Sequence, residues 1–167
     1  QGMRFPKLIV FDLDYTLWPL WIDTHISPPL KRVYASALKD RHGETLAFYK
    51  DVPGILVSLH KQGVALGIAS RTSAPDLARE ALTLLQVQGH EGPVLSIFSK
   101  KAIEIYPGSK MKHFRAIHKH TGIAYEEMIF FDDEARNREV AGLGVTFVLV
   151  PQGVTQSVFE RGLRDWR

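Results

Sequence analysis

The sequence predicts an α/β fold, a single domain built on a mainly parallel sheet with helices on both faces. Short apolar segments alternate with amphipathic helical segments from residue 53 onward, which is typical of parallel strands joined by helices. The chain has 167 residues, a length that suits one domain over residues 1–167. Polar residues follow several of the apolar segments, at the place where open α/β sheets bind their ligands.

The composition excludes several classes of function. The chain has no cysteine, so disulfide frameworks, thiolate catalysis and cysteine-based zinc sites are excluded. No segment approaches the roughly 20 apolar residues of a membrane span, and no secretory leader is visible, so we expect a cytoplasmic protein with no membrane contact. The net charge is +3, but the basic residues are scattered, which argues against nucleic acid and suits a phosphorylated substrate.

The first predicted strand is the apolar run from Leu8 to Phe11, and it leads into two carboxylates, Asp12 and Asp14. Two like charges this close repel each other, so either a cation lies between them or one of them is protonated. A pair of this kind also serves as a turn or helix cap. The choice between these interpretations depends on the residues at the ends of the later strands.

The stretch after this strand is predicted to be a loop or flap, because the two tryptophans beside prolines in residues 18–29 do not suit a regular helix. Residues 36–49 are typical of a small β-hairpin that turns at His42 and Gly43. A helix over residues 29–40 is the competing interpretation. With one further helix these elements fill the segment before the next core strand, so we expect no cap domain.

The remaining elements follow from apolar periodicity and from helix signals. Pro53 and Pro75 are placed to begin helices, and Gly63 and Gly122 are placed to end them. Residues 88–100 carry no clear pattern. The predicted helices cover residues 53–62, 75–87, 110–121, 134–142 and 155–165, and the predicted strands cover residues 64–69, 102–106, 128–132 and 145–150.

Polar candidates follow four of the predicted core strands. Each has a structural alternative, as a helix cap or as a solvated lysine in a first helical turn. Their joint position at strand ends is harder to attribute to capping. Carboxylates beside a lysine and a hydroxyl suit Mg²⁺, which takes oxygen ligands together with substrate phosphate, and without a cation these acids would repel a phosphate ester. The candidates are Asp12 and Asp14, Ser70 and Arg71, Lys110, and Asp132 and Asp133.

These residues, in this order, resemble the haloacid dehalogenase (HAD) superfamily of phosphotransferases. Its first motif, DxDxT, matches residues 12–16, and the hydroxyl, lysine and acidic pair of its later motifs match Ser70, Lys110, Asp132 and Asp133. The segments DLDYTLWP, ASRTS, IYPGSK and FFDDEARN are similar, more narrowly, to the magnesium-dependent phosphatase family, whose members lack a cap domain. The resemblance implies a Rossmann-like, HAD-type fold with Mg²⁺ as the cofactor.

The resemblance also implies a mechanism. Asp12 would attack phosphorus and form an aspartyl-phosphate, while Asp14 would protonate the leaving oxygen and later deprotonate water. Mg²⁺ would be held by Asp12, by the backbone carbonyl of Asp14 and by the acidic pair, with Asp133 as the direct ligand and Asp132 orienting the site.

Phosphoryl oxygens would be bound by Ser70, Lys110 and Arg71, with Lys110 also holding the nucleophile. The resembled family is linked to phosphotyrosine-type and sugar phosphates, including fructosamine phosphate, and the sequence does not choose between them. We expect an open site on a monomer that accepts a phosphorylated small molecule or a phosphoprotein. The alternative, a non-catalytic module that binds phosphorylated ligands or proteins on the same fold, is disfavoured because no motif is missing. A phospho-receiver domain is disfavoured because its lysine follows its acids.

Tyr15 occupies the position after Asp14 where the superfamily usually has glycine. The narrower family shares this departure, so we do not interpret it as a loss of function. With Trp18 and Trp21 nearby, we expect an aromatic rim at the entrance that contacts the leaving group of the substrate. Packing alone is the competing interpretation for these rings.

Three histidines, His113, His118 and His120, lie on one predicted helix. Their spacing does not place them on a single helical face, as a zinc-binding pair four residues apart would be. We therefore interpret them as packing or surface residues.

Overall fold

A computed structural model describes residues 4–167, so the first three residues of the predicted domain lie outside the described residues. The strands are Leu8–Phe11 (β1), Lys31–Tyr34 (β2), Ala37–Lys39 (β3), Thr45–Leu46 (β4), Ala65–Ser70 (β5), Ile103–Ile105 (β6), Met128–Asp132 (β7) and Thr146–Leu149 (β8). Five of them form a parallel sheet in the order β6-β5-β1-β7-β8. The predicted parallel core is confirmed.

Helices cover both faces of this sheet, as predicted. Ile9 and Phe11 of β1 pack in the same core as the second, third and fifth α-helices, whereas Leu8 and Val10 pack with the fourth α-helix and a 3₁₀ helix at Ala135–Leu143. No helix within residues 4–167 combines the length and the apolar character that crossing a membrane requires. The α-helices are Ile22–His25 (α1), Val52–Lys61 (α2), Pro75–Leu84 (α3), Lys110–Thr121 (α4) and Gln156–Trp166 (α5).

The position of β1 determines where the first pair of acids lies. This strand is fully buried, lies between β5 and β7, and pairs Phe11 with Phe131. The N–H of Asp12 continues the ladder by donating to the carbonyl of Phe131 over 3.0 Å. Because Ser70 ends β5 and Asp132 ends β7, the polar residues that follow three neighbouring strands meet at one edge of the sheet.

The segment between β1 and β5 contains α1, a small antiparallel sheet of β2, β3 and β4, and α2. The predicted hairpin is confirmed in β3 and β4, with Gly43 in the turn at a φ of 85°, a left-handed conformation that suits glycine. The competing helix over residues 29–40 is wrong, because β2 pairs with β3. The sequence did not indicate β2, since all four of its residues are exposed and no apolar alternation marks it.

Other boundaries differ from the predictions. Helix α3 ends at Leu84 rather than at residue 87, because Leu85 adopts an extended conformation with a ψ of 138°. Residues 134–142, predicted as an α-helix, form the 3₁₀ helix at Ala135–Leu143, a segment with asparagine, glycine and a β-branched residue that favour an α-helix weakly. The patternless stretch before β6 contains short 3₁₀ helices at Val94–Ile97 and Lys100–Ala102.

Candidate active site

Asp12 lies at the carboxyl end of β1, where the central strand leaves the sheet. Its side chain is buried, and its Oδ1 lies 3.2 Å from Nζ of Lys110. The hydroxyl of Thr16 donates to Oδ2 of Asp12 over 3.1 Å. One oxygen is therefore held by a cation and the other by a hydroxyl, which fixes the orientation of the carboxylate.

Asp132, the last residue of β7, is buried and hydrogen-bonded through both oxygens. Its Oδ2 accepts from Nζ of Lys110 and from Nδ2 of Asn137, each over 2.8 Å, and its Oδ1 accepts from the N–H of Glu134 over 2.8 Å. Lys110 thus bridges Asp132 and Asp12 while it is itself buried. Burial alone would lower the pKa of Lys110, because it disfavours the charged amine. The carboxylates of Asp12 and Asp132 more than offset this effect and raise the pKa above its usual value.

Three carboxylates, those of Asp12, Asp132 and Asp133, each place an oxygen within 4.8 Å of the others. Burial raises the pKa of Asp12 well above its usual value, although Lys110 opposes the shift, and burial also raises the pKa of Asp133. Among residues 4–167, Lys110 is the cationic side chain that forms ion pairs with this cluster. The donors are oxygens and negative charge is in excess, so the cluster fits a hard divalent cation such as Mg²⁺.

Asp14 points into a different environment from that of Asp12. Its Oδ1 accepts from Nε1 of Trp18 over 2.8 Å and from the N–H of Ile22 over 3.1 Å. Burial raises the pKa of Asp14 to about 6, and the two donors counteract part of that shift. The side chain is half-buried and lines the same cavity as Asp12, so it can exchange a proton with a bound molecule.

Tyr15 adopts the left-handed backbone conformation that explains why glycine is usual at its position. Its φ is 57°, and its N–H donates to the carbonyl of Trp18 over 2.7 Å. This tight turn returns the chain so that Trp18 lies beside Asp14. The substitution of the usual glycine therefore leaves the turn that supports Asp14 intact.

The basic and hydroxyl candidates line the same cavity as Asp12. Ser70 is buried, and its Oγ accepts from the N–H of Thr72 over 3.2 Å. Lys110 is the first residue of α4, which begins at the side-chain cap of Ser109. Nη1 of Arg71 lies 3.5 Å from Oδ1 of Asn137. These groups surround a polar cavity of about 220 Å³, lined by Asp12, Asp14, Trp21, Asp23, Ser70, Arg71, Thr72, Lys110, Glu134 and Arg136.

The predicted aromatic rim is only partly correct. Trp18 is fully buried, stacks on Phe48 at 6.0 Å and donates to Asp14, so the prediction that it contacts substrate is wrong. Trp21 is 50% exposed and lines the cavity, where its ring stacks on that of His25 and makes a T-shaped contact with that of Tyr15. The surrounding sequence did not distinguish the two tryptophans, because the tertiary fold decides which ring is buried.

Several residues of the site were not assigned from the sequence. Thr16 donates a hydrogen bond to Asp12, and Asn137 donates one to Asp132. Thr16 lies within the motif segment DLDYTLWP and Asn137 within FFDDEARN, and these segments were the signal available for them. Asp23, Glu134 and Arg136 line the cavity from segments outside the strands. Glu134 and Arg136 also lie within FFDDEARN, whereas nothing in the sequence distinguishes Asp23 from a surface charge.

The three histidines of α4 have separate surroundings within the described chain. His113 is buried and faces backbone carbonyls. Nδ1 of His118 lies 2.7 Å from the carbonyl of Ile123, and the half-exposed ring of His120 lies 3.5 Å from Glu104. The packing and surface interpretation is confirmed for their positions.

Comparison with known proteins shows the family to which the chain belongs. The family model described as acid phosphatase matches residues 4–167. A HAD-like hydrolase superfamily protein of Schizosaccharomyces pombe is 51% identical over 152 residues, which is 89% of this chain and 87% of the relative. Human magnesium-dependent phosphatase 1 is 42% identical over 164 residues, which is 98% of this chain and 88% of the relative.

Solved structures agree on the fold. A HAD-superfamily hydrolase from Ehrlichia chaffeensis superposes with a TM-score of 0.65 at 11% sequence identity, covering 98% of each chain. A similarity at so low an identity concerns the architecture alone. It supports the α/β fold that the alternation of strands and helices predicts.

Proposed function

The chain belongs to the acid phosphatase family within the haloacid dehalogenase superfamily, and from this premise we propose that it hydrolyses phosphate monoesters through an aspartyl-phosphate on Asp12. It is a magnesium-dependent phosphatase. One observation carries the proposed mechanism. Asp12 is a buried carboxylate at a small polar cavity, with one oxygen held by Lys110 and the other by Thr16.

The reaction would proceed in two steps. In the first, an oxygen of Asp12 bonds to phosphorus while the bond from phosphorus to the ester oxygen breaks, and Asp14 gives its proton to the departing oxygen. In the second, water attacks phosphorus, its proton passes to Asp14, and the bond to Asp12 breaks to release phosphate. A pKa of about 6 for Asp14 supports its roles as acid and as base, because both its protonated and its ionised forms are populated near neutral pH.

Mg²⁺ would be held by Asp12, by the backbone carbonyl of Asp14 and by Asp133. When bound, it supplies positive charge that offsets the acids and the phosphoryl oxygens. Asp132 would act indirectly, since its two oxygens are already occupied by Lys110, Asn137 and a backbone N–H. This division supports the assignment of Asp133 rather than Asp132 as the direct ligand.

Phosphoryl oxygens would be bound by Ser70, Lys110 and Arg71. The support is their position around the cavity that also exposes Asp12. Ser70 and Lys110 are each buried, so their polar atoms need little reorganisation to meet a phosphate. Arg71 is less enclosed and lies near Asn137, which leaves its guanidinium able to reach the outer phosphoryl oxygens.

The substrates we propose are phosphotyrosine-type esters or sugar phosphates such as fructosamine phosphate. Trp21 and Asp23 line the same cavity as Asp12, so the leaving group would lie beside them. An aromatic leaving group could pack on the Trp21 ring, and a hydroxyl or amine could reach the Asp23 carboxylate. The cytoplasmic location and the monomeric state stay predictions from the sequence.

The test of the catalytic mechanism is phosphate release from p-nitrophenyl phosphate. We expect turnover with Mg²⁺, none with EDTA, and a fall of about a thousandfold or more in Asp12→Asn. Asp165→Asn, an exposed acid of α5, is the matched control and should keep full activity. Full turnover by Asp12→Asn would contradict the nucleophile assignment. Magnesium-dependent phosphate binding without turnover in the parent protein would favour the non-catalytic binding module.

A second assay compares leaving groups. Initial rates on a phosphotyrosine peptide, on a sugar phosphate and on p-nitrophenyl phosphate would be measured in the parent protein and in Trp21→Ala. We expect the aryl esters to lose more kcat/KM than the sugar phosphate in this variant, because an aryl group packs on an indole ring. Equal losses on all three would contradict a role for Trp21 in choosing the leaving group.

A further inference from the structure

We propose that His113 is a positioning residue of this active site, which fixes the end of β5 relative to the start of α4 and thereby aligns Ser70 with Lys110. The inference rests on the proposed phosphatase function, in which these two residues bind the phosphoryl group. No motif or role assigned above uses His113, and its side chain does not line the cavity.

Both ring nitrogens of His113 face backbone carbonyl oxygens. Nδ1 lies 2.9 Å from the carbonyl of Ser109, and Nε2 lies 2.9 Å from that of Ser70 and 2.8 Å from that of Tyr106. The residue is fully buried, so water does not substitute for these contacts. A residue that only filled space would not need a ring nitrogen directed at backbone carbonyls.

The three carbonyls belong to the elements that carry the phosphate ligands. Ser70 is the last residue of β5, and Tyr106 directly follows β6. The N–H of Tyr106 donates to the carbonyl of Ser70 over 3.0 Å, which ties Tyr106 to the end of β5. Ser109 is the residue that caps α4 directly before Lys110. One imidazole ring therefore joins the backbone of two strand ends to the first turn of a helix.

The ring itself is held in place. It stacks on the ring of Tyr106 at 4.3 Å with an angle of 12° between the planes, and the hydroxyl of Tyr106 donates to Glu104 over 2.5 Å. Burial lowers the pKa of His113, although the carbonyls oppose that shift. In a neutral ring only one nitrogen carries hydrogen, and two acceptors at Nε2 against one at Nδ1 favour Nε2 as the donor.

Two substitutions separate the two sides of the ring. The amide nitrogen of His113→Gln can reach the position of Nε2 and keep the bonds to Ser70 and Tyr106. That of His113→Asn can reach only the position of Nδ1, beside the Ser109 carbonyl, and so loses those two bonds. Each variant would be assayed with Mg²⁺ for kcat, for KM with p-nitrophenyl phosphate and for the Ki of inorganic phosphate.

We expect His113→Asn to raise KM and the phosphate Ki by about tenfold, and His113→Gln to stay within about threefold of the parent protein, with kcat changing less than KM in both. The midpoint of thermal unfolding should fall by a similar amount in the two variants, because each loses the ring that stacks on Tyr106. A difference in phosphate affinity between variants of equal stability is a result that a merely structural role would not produce.

His118 provides the matched control. It lies on the same helix, its ring stacks on Tyr125 at 4.3 Å, and its Nδ1 lies 2.7 Å from the carbonyl of Ile123. Within residues 4–167 it is not among those that line the cavity. His118→Asn and His118→Gln should leave KM and Ki unchanged. Parent-like values in His113→Asn, or equal losses in His113→Asn and His113→Gln, would overturn the inference.

Failure of the proposed function would be seen first in the parent protein, as an absence of turnover. In that case the same comparison is made by calorimetric titration of inorganic phosphate with Mg²⁺, in which His113→Asn should bind about tenfold more weakly than His113→Gln. Equal phosphate affinity in these two variants would overturn the positioning role independently of catalysis.

Discussion

Asp14 lies in a pocket made by the turn immediately after it. The indole N–H of Trp18 and the backbone N–H of Ile22 both donate to its Oδ1, which favours the ionised carboxylate. Burial has the opposite effect and raises the pKa to about 6. The balance suits a group that first donates a proton and then accepts one.

Trp18→Phe keeps an aromatic ring in this pocket but removes its N–H. Because that donor lowers the pKa of Asp14, we expect the pKa to rise by roughly one unit in the variant. Asp14 acts as an acid only when protonated, so kcat/KM falls as the pH rises through its pKa. The falling limb of the profile of kcat/KM against pH should therefore move to higher pH.

Trp166→Phe is the control for this experiment, since the indole of Trp166 donates to the carbonyl of Glu126, which precedes β7 at the end of the strand away from Asp132. Its pH profile should match that of the parent protein. An unmoved limb in Trp18→Phe would mean that Asp14 is not the acid that sets it.

The catalytic candidates could be predicted because their signals are local. An apolar run that ends in an acid, as at Asp12 and Asp132, indicates both the strand and the edge at which its last residue lies. Asp23 and Arg136 could not be predicted in this way, since their places at the cavity depend on how turns pack against one another. Trp18 was misassigned for the same reason, because burial of a side chain is a property of the tertiary fold.

The small sheet of β2, β3 and β4 is anchored at one acid, Asp40. Its Oδ2 accepts from the N–H of Ser27 over 2.8 Å, and its Oδ1 accepts from the N–H groups of His42 and Glu44 over 2.8 and 2.9 Å. These donors, with Ser27 the largest contributor, hold the pKa of Asp40 below its usual value. The side chain thus ties the hairpin turn to the chain before β2.

Asp40→Ala removes all three bonds, and we expect faster amide hydrogen exchange at Ser27, His42 and Glu44. Because the folded pKa is lowered, the stabilisation is complete above the unfolded pKa of about 4 and is lost as the pH falls through the folded value. The amide chemical shifts of these residues should therefore titrate below about pH 4 in the parent protein. Asp76→Ala, an exposed acid in α3, should change neither observable. Unchanged exchange in Asp40→Ala would contradict the anchoring role.

The elements of the main sheet were predictable because each buried strand is short, apolar and bounded by turn or helix signals. Helix α4 is a clear case, with Ser109 before it and Gly122 ending it at a φ of 71°. Strand β2 was not predictable, since its exposed residues pair with β3 without an apolar pattern. The 3₁₀ helix at Ala135–Leu143 contains Asn137, whose side chain donates to Asp132 at the end of β7.

At the scale of the whole molecule, the acidic cluster links stability to pH and to the metal. The pKa values of Asp12 and Asp133 are raised by burial, so the folded state binds more protons at these groups than the unfolded state does. Their contribution to stability is therefore largest below the unfolded pKa of about 4 and declines as the pH rises through the folded values. A bound divalent cation would counteract this decline.

In EDTA, we expect the midpoint temperature of thermal unfolding to decrease as the pH rises from mildly acidic to neutral. Mg²⁺ should restore this midpoint temperature at neutral pH. At a metal concentration of 100 times Kd the gain is about 2.7 kcal/mol, or roughly 5–10 °C for a chain of this size. Asp133→Asn should gain much less from Mg²⁺ and show a smaller pH effect. An equal ionic strength of NaCl is the control, and an equal gain from NaCl would indicate simple screening.

Strand β1 has a neighbour on each side, β5 and β7, so it presents no free edge. Its amides can exchange with solvent only when the sheet itself separates, whereas the exposed β2 can open alone. Partial opening of the small sheet therefore leaves Asp12 in place. Loss of activity on heating should coincide with loss of the far-ultraviolet circular dichroism signal, which makes catalysis a reporter of cooperative unfolding.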